Sequence, residues 1–296
     1  MGKREGQKSW GWPVVIYVFL AGCGGGTFIF SYLLTILGRY EPVAGIGLLI
    51  GPVLVGIGSL LLMFDLGSPA RCYRLFTAPG TLVSSWMARG TWILTAFIIL
   101  GLAYALPTLA FFEWLPWNRT SVPGQIIGAA AAFLALVVPI YPGFLLGVIR
   151  SVPLWNTPVL PPLFFLSGLD TGVALLALIS VVYPTVVGVE GFHLLGAGDI
   201  VLIVLLLITL LAYLEIVRQG GITAAESVRL LRRPLFIVGA IVSGMLVPLA
   251  LLIVSAFASN TATVVAIEGF AGILVLLGGL LLRYSVVTSG VRLAVR

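Results

Sequence analysis

An aspartate inside a long apolar run is the first residue of this sequence whose type and position indicate chemistry. Asp170 lies in the stretch 166–172, Leu-Ser-Gly-Leu-Asp-Thr-Gly, with strongly apolar sequence on both sides. An ionisable side chain within a membrane is costly, and residues of this kind commonly serve proton or ion paths. We therefore expect Asp170 to relay protons. The alternative is a protonated carboxyl group that is hydrogen-bonded inside a helix bundle.

Residues that bind redox metals are scarce. The two cysteines, Cys23 and Cys72, lie far apart in the sequence, and His193 is the single histidine. No C-x-x-C pair is present, and a membrane cytochrome b needs two axial imidazoles for each haem. We therefore expect this chain to bind no haem, iron–sulfur cluster or metal ion, so any electrons must come from a partner or a mobile carrier. His193 itself is predicted to be an ordinary surface residue in a loop.

The composition indicates that lipid is the main solvent of the chain. Of 296 residues, 60% are hydrophobic and 9% are charged, whereas about a quarter of a typical soluble domain is charged. The net charge of +6 comes with no basic stripe or aromatic-basic module outside the apolar segments. We therefore expect an integral membrane protein embedded in the lipid bilayer and no binding of nucleic acid.

Eight apolar runs are each long enough to cross a bilayer, which takes about 20 helical residues. They are predicted at 12–37, 43–66, 90–112, 123–149, 159–183, 199–217, 235–257 and 266–288. Each must be helical because lipid cannot satisfy free backbone groups, and the prolines at 52, 139, 142 and 248 should kink their helices. The sequence predicts one all-α transmembrane domain, 1–296, built as two four-helix bundles, 1–150 and 151–296.

The first apolar run allows two interpretations. Basic residues followed by Leu-Ala-Gly-Cys at 20–23 resemble a lipoprotein signal, but a lipidated cysteine is normally followed by a polar tether. Here the sequence stays apolar to residue 37, so we expect an uncleaved helix. Gly22 and Gly26 form a G-x-x-x-G pair, which predicts close approach of either another helix or a flat ligand.

The basic residues fall almost entirely on one side of the predicted spans. With eight spans, fourteen of the sixteen lysines and arginines lie on the side of the termini, and only Arg39 and Arg119 lie on the other side. That other side is predicted to carry Glu41, Glu113, Glu190, Asp199 and Glu268. The positive-inside rule then places both termini in the cytoplasm of a prokaryotic cell.

Four stretches together are more specific than hydropathy. They are Phe-Asp-Leu-Gly-Ser-Pro-Ala-Arg-Cys-Tyr-Arg-Leu at 64–75, Ser-Ser-Trp at 84–86, Tyr-Pro-Gly-Phe-Leu-Leu at 141–146 and Pro-Leu-Trp-Asn-Thr-Pro at 153–158. This set resembles the NrfD-like family of polysulfide-reductase-type membrane anchor subunits. The resemblance runs from the glycine-rich first helix to Leu-Arg-Tyr at 282–284.

The resemblance implies a membrane anchor that exchanges electrons with a quinone, of the menaquinone type, and has no redox cofactor of its own. Its partners would be a four-cluster ferredoxin-like iron–sulfur subunit and a molybdopterin-type catalytic subunit. The family's quinone pocket lies in the first four helices. Tyr17 stands where the family commonly offers a histidine or other polar group, and Tyr141 matches a pocket tyrosine of the fourth helix. The expected quinone-binding residues are Tyr17, Gly22, Gly26, Asp65, Arg71 and Tyr141.

The tyrosines can pack on a quinone ring and donate a phenolic hydrogen bond, although both are also the type of residue that anchors helices at the membrane interface. Both are predicted to lie in the basic half of the membrane, which favours a shared site. Asp65 is expected to pair with nearby arginines or to donate protons. Arg71, Arg74, Arg89 and Arg150 are expected to dock the partner subunit, together with the arginines at 232 and 233.

Glu215 and Arg283 lie near the basic ends of the sixth and eighth runs. They could pair with each other, but we expect them to snorkel to the interface. Glu215 is also a candidate for the proton pathway with Asp170. Two other functions remain open: a secondary transporter or ion channel, which intramembrane Asp170 and the kinking prolines would also suit, and a structural anchor that binds no quinone. The terminal substrate is not encoded in this chain.

Overall fold

The computed structural model describes residues 11–65, 86–112 and 114–291, except for the side chains of residues 65, 110 and 222. All of the regular structure in these ranges is helical, and eight helices are long and apolar enough to span a membrane. The predicted all-α membrane fold with eight spans is therefore confirmed. Asp65 lies at the last position of its helix, while Arg71, Arg74, Cys72 and Glu113 lie outside the described residues.

Nine helices are labelled here in chain order. They are α1 (Trp12–Ile36), α2 (Glu41–Asp65), α3 (Trp86–Ala105), α4 (Val122–Gly147), α5 (Leu160–Val182), α6 (Pro184–Gln219), α7 (Ile222–Leu231), α8 (Leu235–Ser255) and α9 (Thr261–Thr288). The short helix α7 does not span, and the first part of α8, Leu235–Leu246, is π-helical. Side-chain caps fix two starts: Ser121 accepts from the amide of Gly124 before α4, and Asn260 accepts from the amide of Ala262 before α9.

The central helix is α1, which packs against α2, α4, α5 and α9. The glycines of α1 allow these helices to pack closely against it. A Cβ at Gly24 would meet the carbonyl oxygen of Gly51 in α2, and one at Gly26 would overlap the carbonyl oxygen of Gly168 in α5. Apolar side chains gain little by leaving lipid, so close backbone contact of this kind is what holds membrane helices together. Because α1 contacts helices of both predicted halves, the proposed division at residue 150 stays a prediction.

The loop between α4 and α5 is tied to the second half of the molecule by two buried side chains. The indole Nε1 of Trp155 donates to the carbonyl of Val286 at 3.0 Å, and the hydroxyl of Tyr213 donates to the carbonyl of Leu154 at 2.7 Å. Both rings are fully buried. An unsatisfied polar group is costly within a membrane, so these bonds fix the loop to α6 and α9.

Helix α6 is longer than predicted and begins at Pro184 rather than at residue 199. Its first turns are separated from the rest by a break at Gly188, which has φ 62° and ψ 175°. The prediction was wrong because the polar and glycine residues at 190–199 lower the hydropathy of a segment that is nevertheless helical. His193 is therefore not in a loop. It is partly buried in α6, where Nε2 lies 3.0 Å from the carbonyl oxygen of Ser255.

Charged loops distinguish the two ends of the bundle. The basic face, defined by Arg89, Arg150, Arg218, Arg232 and Arg233, lies where α3 and α8 begin and where α4 and α6 end.

The acidic face, defined by Arg39, Glu41, Arg119 and Glu190, is at the opposite end, and both of its arginines are paired. Arg119 lies 2.7 Å from Glu41 and Arg39 lies 3.5 Å from Glu190. Burial lowers the pKa of Arg119, an effect that the nearby Glu41 carboxylate opposes.

Three residues assigned to the ends of spans are instead buried within them. Asp199 is 3% exposed, Glu268 is 2% exposed and Arg283 is fully buried. The prediction that Asp199 and Glu268 lie on the acidic surface was wrong, because α6 and α9 both extend further toward that face than hydropathy indicates. The prediction that Arg283 snorkels was also wrong, because its guanidinium turns inward to partners on neighbouring helices.

Candidate functional site

A cavity of about 390 Å³ opens between α1, α2, α3 and α4 in the basic half of the bundle. We call it the tyrosine cavity. Its lining is mainly apolar and comprises Tyr17, Gly56, Ser59, Leu60, Leu62, Met63, Met87, Thr91, Leu94, Thr95, Ile98, Tyr141 and Leu145. Leu60 and Met87 are exposed on the outer surface of the bundle, where lipid would lie. A ligand dissolved in the bilayer could therefore enter from the side, and the volume is in the range of small-molecule sites.

Both predicted tyrosines line this cavity. Tyr17 is buried near the start of α1, and its hydroxyl oxygen has no hydrogen-bond partner among the described residues. The hydroxyl of Tyr141, in α4, donates to the carbonyl of Trp86 at 3.3 Å, and its ring lies where a side chain at position 90 would otherwise be. The structure thus brings together the two residues expected to share a site. Among the described residues, the hydroxyl of Tyr17 is left without a partner, which favours a ligand with an acceptor oxygen.

Gly22 and Gly26 do not reach the cavity. They lie on the opposite side of α1, where a Cβ at Gly22 would meet the guanidinium of Arg283 and a Cβ at Gly26 would overlap the backbone of Gly168. Of the two interpretations of this glycine pair, the structure supports the one in which another helix approaches closely.

The described arginines of the predicted docking set lie at the basic face. The guanidinium of Arg89 lies over the ring of Trp86, 5.0 Å from its centroid. Arg150 is exposed and borders a surface groove of about 740 Å³ together with Asn156 and Phe144. Arg89 and Arg150 are therefore at the same end of the bundle as the tyrosine cavity. At this end Trp86 also stacks on Phe144.

Asp170 is one of three buried carboxyl residues on the packed helices α5, α6 and α9. Its carboxyl group lies within hydrogen-bonding reach of that of Asp199, and Asp199 is near enough to Glu268 for their charges to interact. The carboxyl group of Glu268 packs on Gly196, one turn before Asp199 in α6. We call Asp170, Asp199 and Glu268 the carboxyl chain. It lies on the other side of α1 from the tyrosine cavity.

Arg283 lies at the basic end of this chain. Its Nη1 donates to the hydroxyl of Ser167 and to the carbonyl of Gly279, both at 3.0 Å, and its guanidinium lies 5.5 Å from the ring centroid of Phe19. Nε and Nη2 have no hydrogen-bond partner among the described residues. The glycine at position 22 provides the space for this side chain, since a Cβ there would overlap the guanidinium.

Glu215, the second residue predicted for the proton pathway, is on an exposed face of α6 near the basic end. It accepts from Arg218 at 3.2 Å and from Gln219 at 3.0 Å. The structure does not bring it to the carboxyl chain, and its role in a pathway stays a prediction.

Sequence reasoning missed Asp199 and Glu268 as members of a buried cluster. The signal available for Asp199 was its spacing: buried Leu202, Ile203, Leu206 and Leu210 follow at helical intervals and continue the face that Asp199 begins. Within the described part of the chain, no group of three or more histidine, cysteine, aspartate or glutamate side chains is arranged to hold a metal ion.

Comparison with known proteins yields a single family. A family model described as "Polysulphide reductase, NrfD" matches residues 2–294. The C subunit of polysulfide reductase from Wolinella succinogenes is 31% identical over 231 residues, which are 73% of this chain and 72% of that protein. Protein NrfD of Escherichia coli is 30% identical over 187 residues, 56% of this chain and 57% of that protein, and an NrfD homolog of Haemophilus influenzae is 27% identical over the same shares.

Proposed function

Because the chain belongs to the NrfD family of polysulphide reductase membrane proteins, we propose that it is the quinone-interacting membrane subunit of a respiratory molybdopterin and iron–sulfur oxidoreductase. The tyrosine cavity is the observation that carries this proposal. It is apolar, opens toward lipid and contains one buried phenol without a partner among the described residues. A quinone is an apolar ring with two carbonyl oxygens, carried in lipid, and so is a suitable ligand for such a cavity.

Tyr17 and Tyr141 hold the quinone ring in this proposal. Each hydroxyl can donate a hydrogen bond to a quinone oxygen, and each ring offers an apolar face. Tyr141 would exchange its bond to the carbonyl of Trp86 for one to the ligand, whereas Tyr17 has no bond to lose within the described part of the chain. Complete reduction of a quinone takes two electrons and two protons, and this chain's part is to bind and orient the ring.

Electrons would pass to and from an iron–sulfur partner docked on the basic face. Arg89 and Arg150 lie there with the cavity, and the predicted docking residues Arg71 and Arg74 follow α2 in the sequence. An acidic partner surface would be attracted to such a cluster. Complementary charge would also fix the register in which the partner's cluster faces the cavity.

The basic face is assigned to the cytoplasm by the positive-inside rule. The two arginines of the acidic face are each paired with a glutamate, which leaves the excess of positive charge at the other end. Asp170 is assigned to a proton pathway, as an ionisable group held within the membrane.

Conservative substitution of the tyrosines tests the proposal. In the complex purified in mild detergent, we expect Tyr17→Phe and Tyr141→Phe each to weaken quinone or inhibitor binding about tenfold, the effect of losing one hydrogen bond. Tyr32→Phe, on the same helix but packed against Tyr104 toward the acidic face, is the matched control. Unchanged binding and quinone turnover in both variants would reject the cavity as the quinone site.

The same purification separates this proposal from a transporter, the main alternative. A transporter would be isolated without an iron–sulfur partner and would be stabilised by its solute rather than by a quinone. Recovery with an iron–sulfur subunit, together with unaltered quinone turnover in the tyrosine variants, would instead favour a structural anchor.

A further inference from the structure

A groove on the outer surface of the bundle runs between the end of α4 and the start of α5. It is the surface groove of about 740 Å³ that Arg150 borders, and we call it the α4–α5 groove. Its α4 wall recurs at intervals of three and four residues and so forms one face of the helix; it comprises Ile140, Gly143, Phe144 and Gly147. At a rise of about 1.5 Å per residue this wall is about 10 Å long, roughly two thirds of the hydrocarbon depth of one leaflet.

The α5 wall of the groove is apolar and poor in backbone donors. It is formed by Pro161, Pro162 and Phe165. A proline has no amide hydrogen, so hydrocarbon can lie against this turn without leaving those positions with an unpaired donor. A protein segment would find few groups here with which to form hydrogen bonds. The walls therefore favour an occupant that is itself hydrocarbon over this length, which is a description of an acyl chain.

The end of the groove nearest the basic face is polar and positively charged. Arg150 and Asn156 line it, and both side chains are exposed. Within the described ranges, neither side chain takes part in an ion pair or a hydrogen bond. No acidic residue is among those that line the groove. A guanidinium without a counter-ion attracts an anion, and its planar donors match the oxygens of a phosphate.

The loop that carries Arg150 and Asn156 is held in place without a ligand. The buried indole of Trp155 is hydrogen-bonded to α9, and the carbonyl of Leu154 accepts from the tyrosine of α6. A loop that is already ordered loses little conformational entropy when it binds a ligand. The positions of the guanidinium and the amide group relative to the apolar walls are therefore set by the fold.

A second groove, of about 670 Å³, meets the first at Arg150. Gly220 and Ala224 are among its lining residues, so it lies where α6 ends and α7 begins, at the end of the bundle. The features that a phospholipid needs thus follow one another with depth: space for a headgroup, a cation for the phosphate, and an apolar groove for a chain. A quinone carries no charge for the cation to bind, and the linings of the α4–α5 groove and the tyrosine cavity share no residue.

We propose that the α4–α5 groove binds one anionic phospholipid of the bilayer, with its phosphate on Arg150 and Asn156 and an acyl chain along Ile140, Phe144 and Phe165. Basic pockets between membrane helices are suited to anionic headgroups. A guanidinium has five N–H donors, so Arg150 can hold a phosphate and still face an acidic partner. This site goes beyond the proposed function and does not depend on quinone binding.

Native mass spectrometry of the purified protein, with whichever subunits accompany it, tests the site after bound lipid has been exchanged for detergent. We expect phosphatidylglycerol to bind about fivefold more tightly than phosphatidylcholine, the effect of one arginine near an anionic headgroup. Arg150→Gln should weaken phosphatidylglycerol binding about tenfold, because a charge-assisted hydrogen bond is lost, and Arg150→Lys should retain most of the affinity. Arg229→Gln, which removes an exposed charge of α7 outside both linings, is the control and should bind as the unchanged protein does.

A further variant separates the chain contact from the phosphate contact. A Cβ at Gly147 has only an ordinary contact, 3.7 Å from the carbonyl oxygen of Trp155, so α4 tolerates a side chain there. Gly147→Leu fills the groove and should weaken phosphatidylglycerol binding about tenfold although Arg150 is retained. Inorganic phosphate, a probe without chains, should not displace the lipid even at about a hundredfold excess, because burial of the chain supplies most of the affinity.

Three results would overturn the proposal. The first is equal affinity for the two lipids together with unaltered binding by Arg150→Gln. The second is displacement of the lipid by inorganic phosphate, which would make this a site for a free anion. The third is loss of a protein partner from Arg150→Gln with lipid binding unaltered, which would assign the groove to docking. Absence of quinone binding by the unchanged protein would overturn the proposed function and leave these lipid affinities readable.

Discussion

Tyr141 is held in the tyrosine cavity by a glycine on the neighbouring helix. Its ring occupies the position that a Cβ at Gly90 would take, and its hydroxyl reaches the carbonyl of Trp86, four residues earlier in α3. One turn of α3 therefore fixes both the position of the Tyr141 ring and the direction of its hydroxyl group. A glycine at position 90 is needed for the space it leaves, since its backbone is helical.

We expect Gly90→Ala to displace Tyr141 and to weaken quinone binding more than Tyr141→Phe does, because the ring and the hydroxyl both move. Moving the ring adds a packing penalty of about 1–3 kcal/mol. Inhibitor titration of the purified complex measures the effect. Gly147→Ala, near the end of α4 with only an ordinary 3.7 Å contact to the carbonyl of Trp155, is the control. Equal affinity of the Gly90→Ala and Gly147→Ala variants for the inhibitor would show that Gly90 does not position Tyr141.

At the scale of the helices, α6 has a break at Gly188, a few residues before the part of the helix that carries His193 and Asp199. Gly188 has φ 62° and ψ 175°, a region that residues with a side chain rarely adopt. A Cβ there would meet no atom within 4 Å. Backbone conformation thus favours a glycine at this position, and the break precedes the part of α6 in which Nε2 of His193 lies 3.0 Å from the carbonyl oxygen of Ser255.

Two glycines of α6 provide a matched pair of substitutions. Gly188→Ala should lower the free energy of unfolding by about 1–3 kcal/mol because of its backbone conformation. Gly198→Ala, in regular helix and also in open space, should raise it by about 0.5–1 kcal/mol. Reversible unfolding in mixed micelles measures both. A stabilising Gly188→Ala would mean that α6 is continuous at this point.

The sequence predicted that the eight spanning helices exist. It did not predict where they end or which of their polar residues face the protein interior. Apolar length alone predicted all eight spans, because lipid accepts little other than helix. Apolar length did not predict where α6 and α9 begin near the acidic face. There His193, Asp199 and Glu268 interrupt the apolar pattern, although these side chains face protein. Arg283 was misplaced for the same reason. It lies against Gly22 of α1 and Ser167 of α5, and a single sequence does not show that these residues meet around a guanidinium.

The tyrosine cavity was predictable in part. The resemblance to a known family indicated Tyr17 and Tyr141, and the alternation of spans placed both in the same half of the membrane. Apart from Leu145 of α4, the rest of the lining comes from α2 and α3, whose serine, threonine and methionine side chains have no distinctive pattern in the sequence. Gly22 and Gly26 were expected at the same site because sequence spacing does not reveal which side of α1 faces the ligand.

For the molecule as a whole, the proposed orientation is tested by labelling. In a Cys72→Ser background, Arg232→Cys and Glu190→Cys introduce one thiol at each face, and both parent residues are exposed. The remaining Cys23 is buried. An impermeant maleimide added to intact cells should label Glu190→Cys and spare Arg232→Cys, because the basic face is assigned to the cytoplasm. The reverse pattern would place the docking surface outside the cell.

The central position of α1 also has a consequence for how the protein is made. This helix precedes the other described helices in the chain, yet its glycine surfaces pack on α5 and α9, and α9 is the last helix that the structure describes. Contacts between such distant segments form late. Helix α1, the most buried of the spanning helices, therefore lacks its contacts with α5 and α9 until those helices have been inserted into the bilayer. A protein truncated before α9 lacks Glu268 and Arg283, so the carboxyl chain is complete only after α9 has been inserted, whereas the tyrosine cavity is lined by α1 to α4 alone.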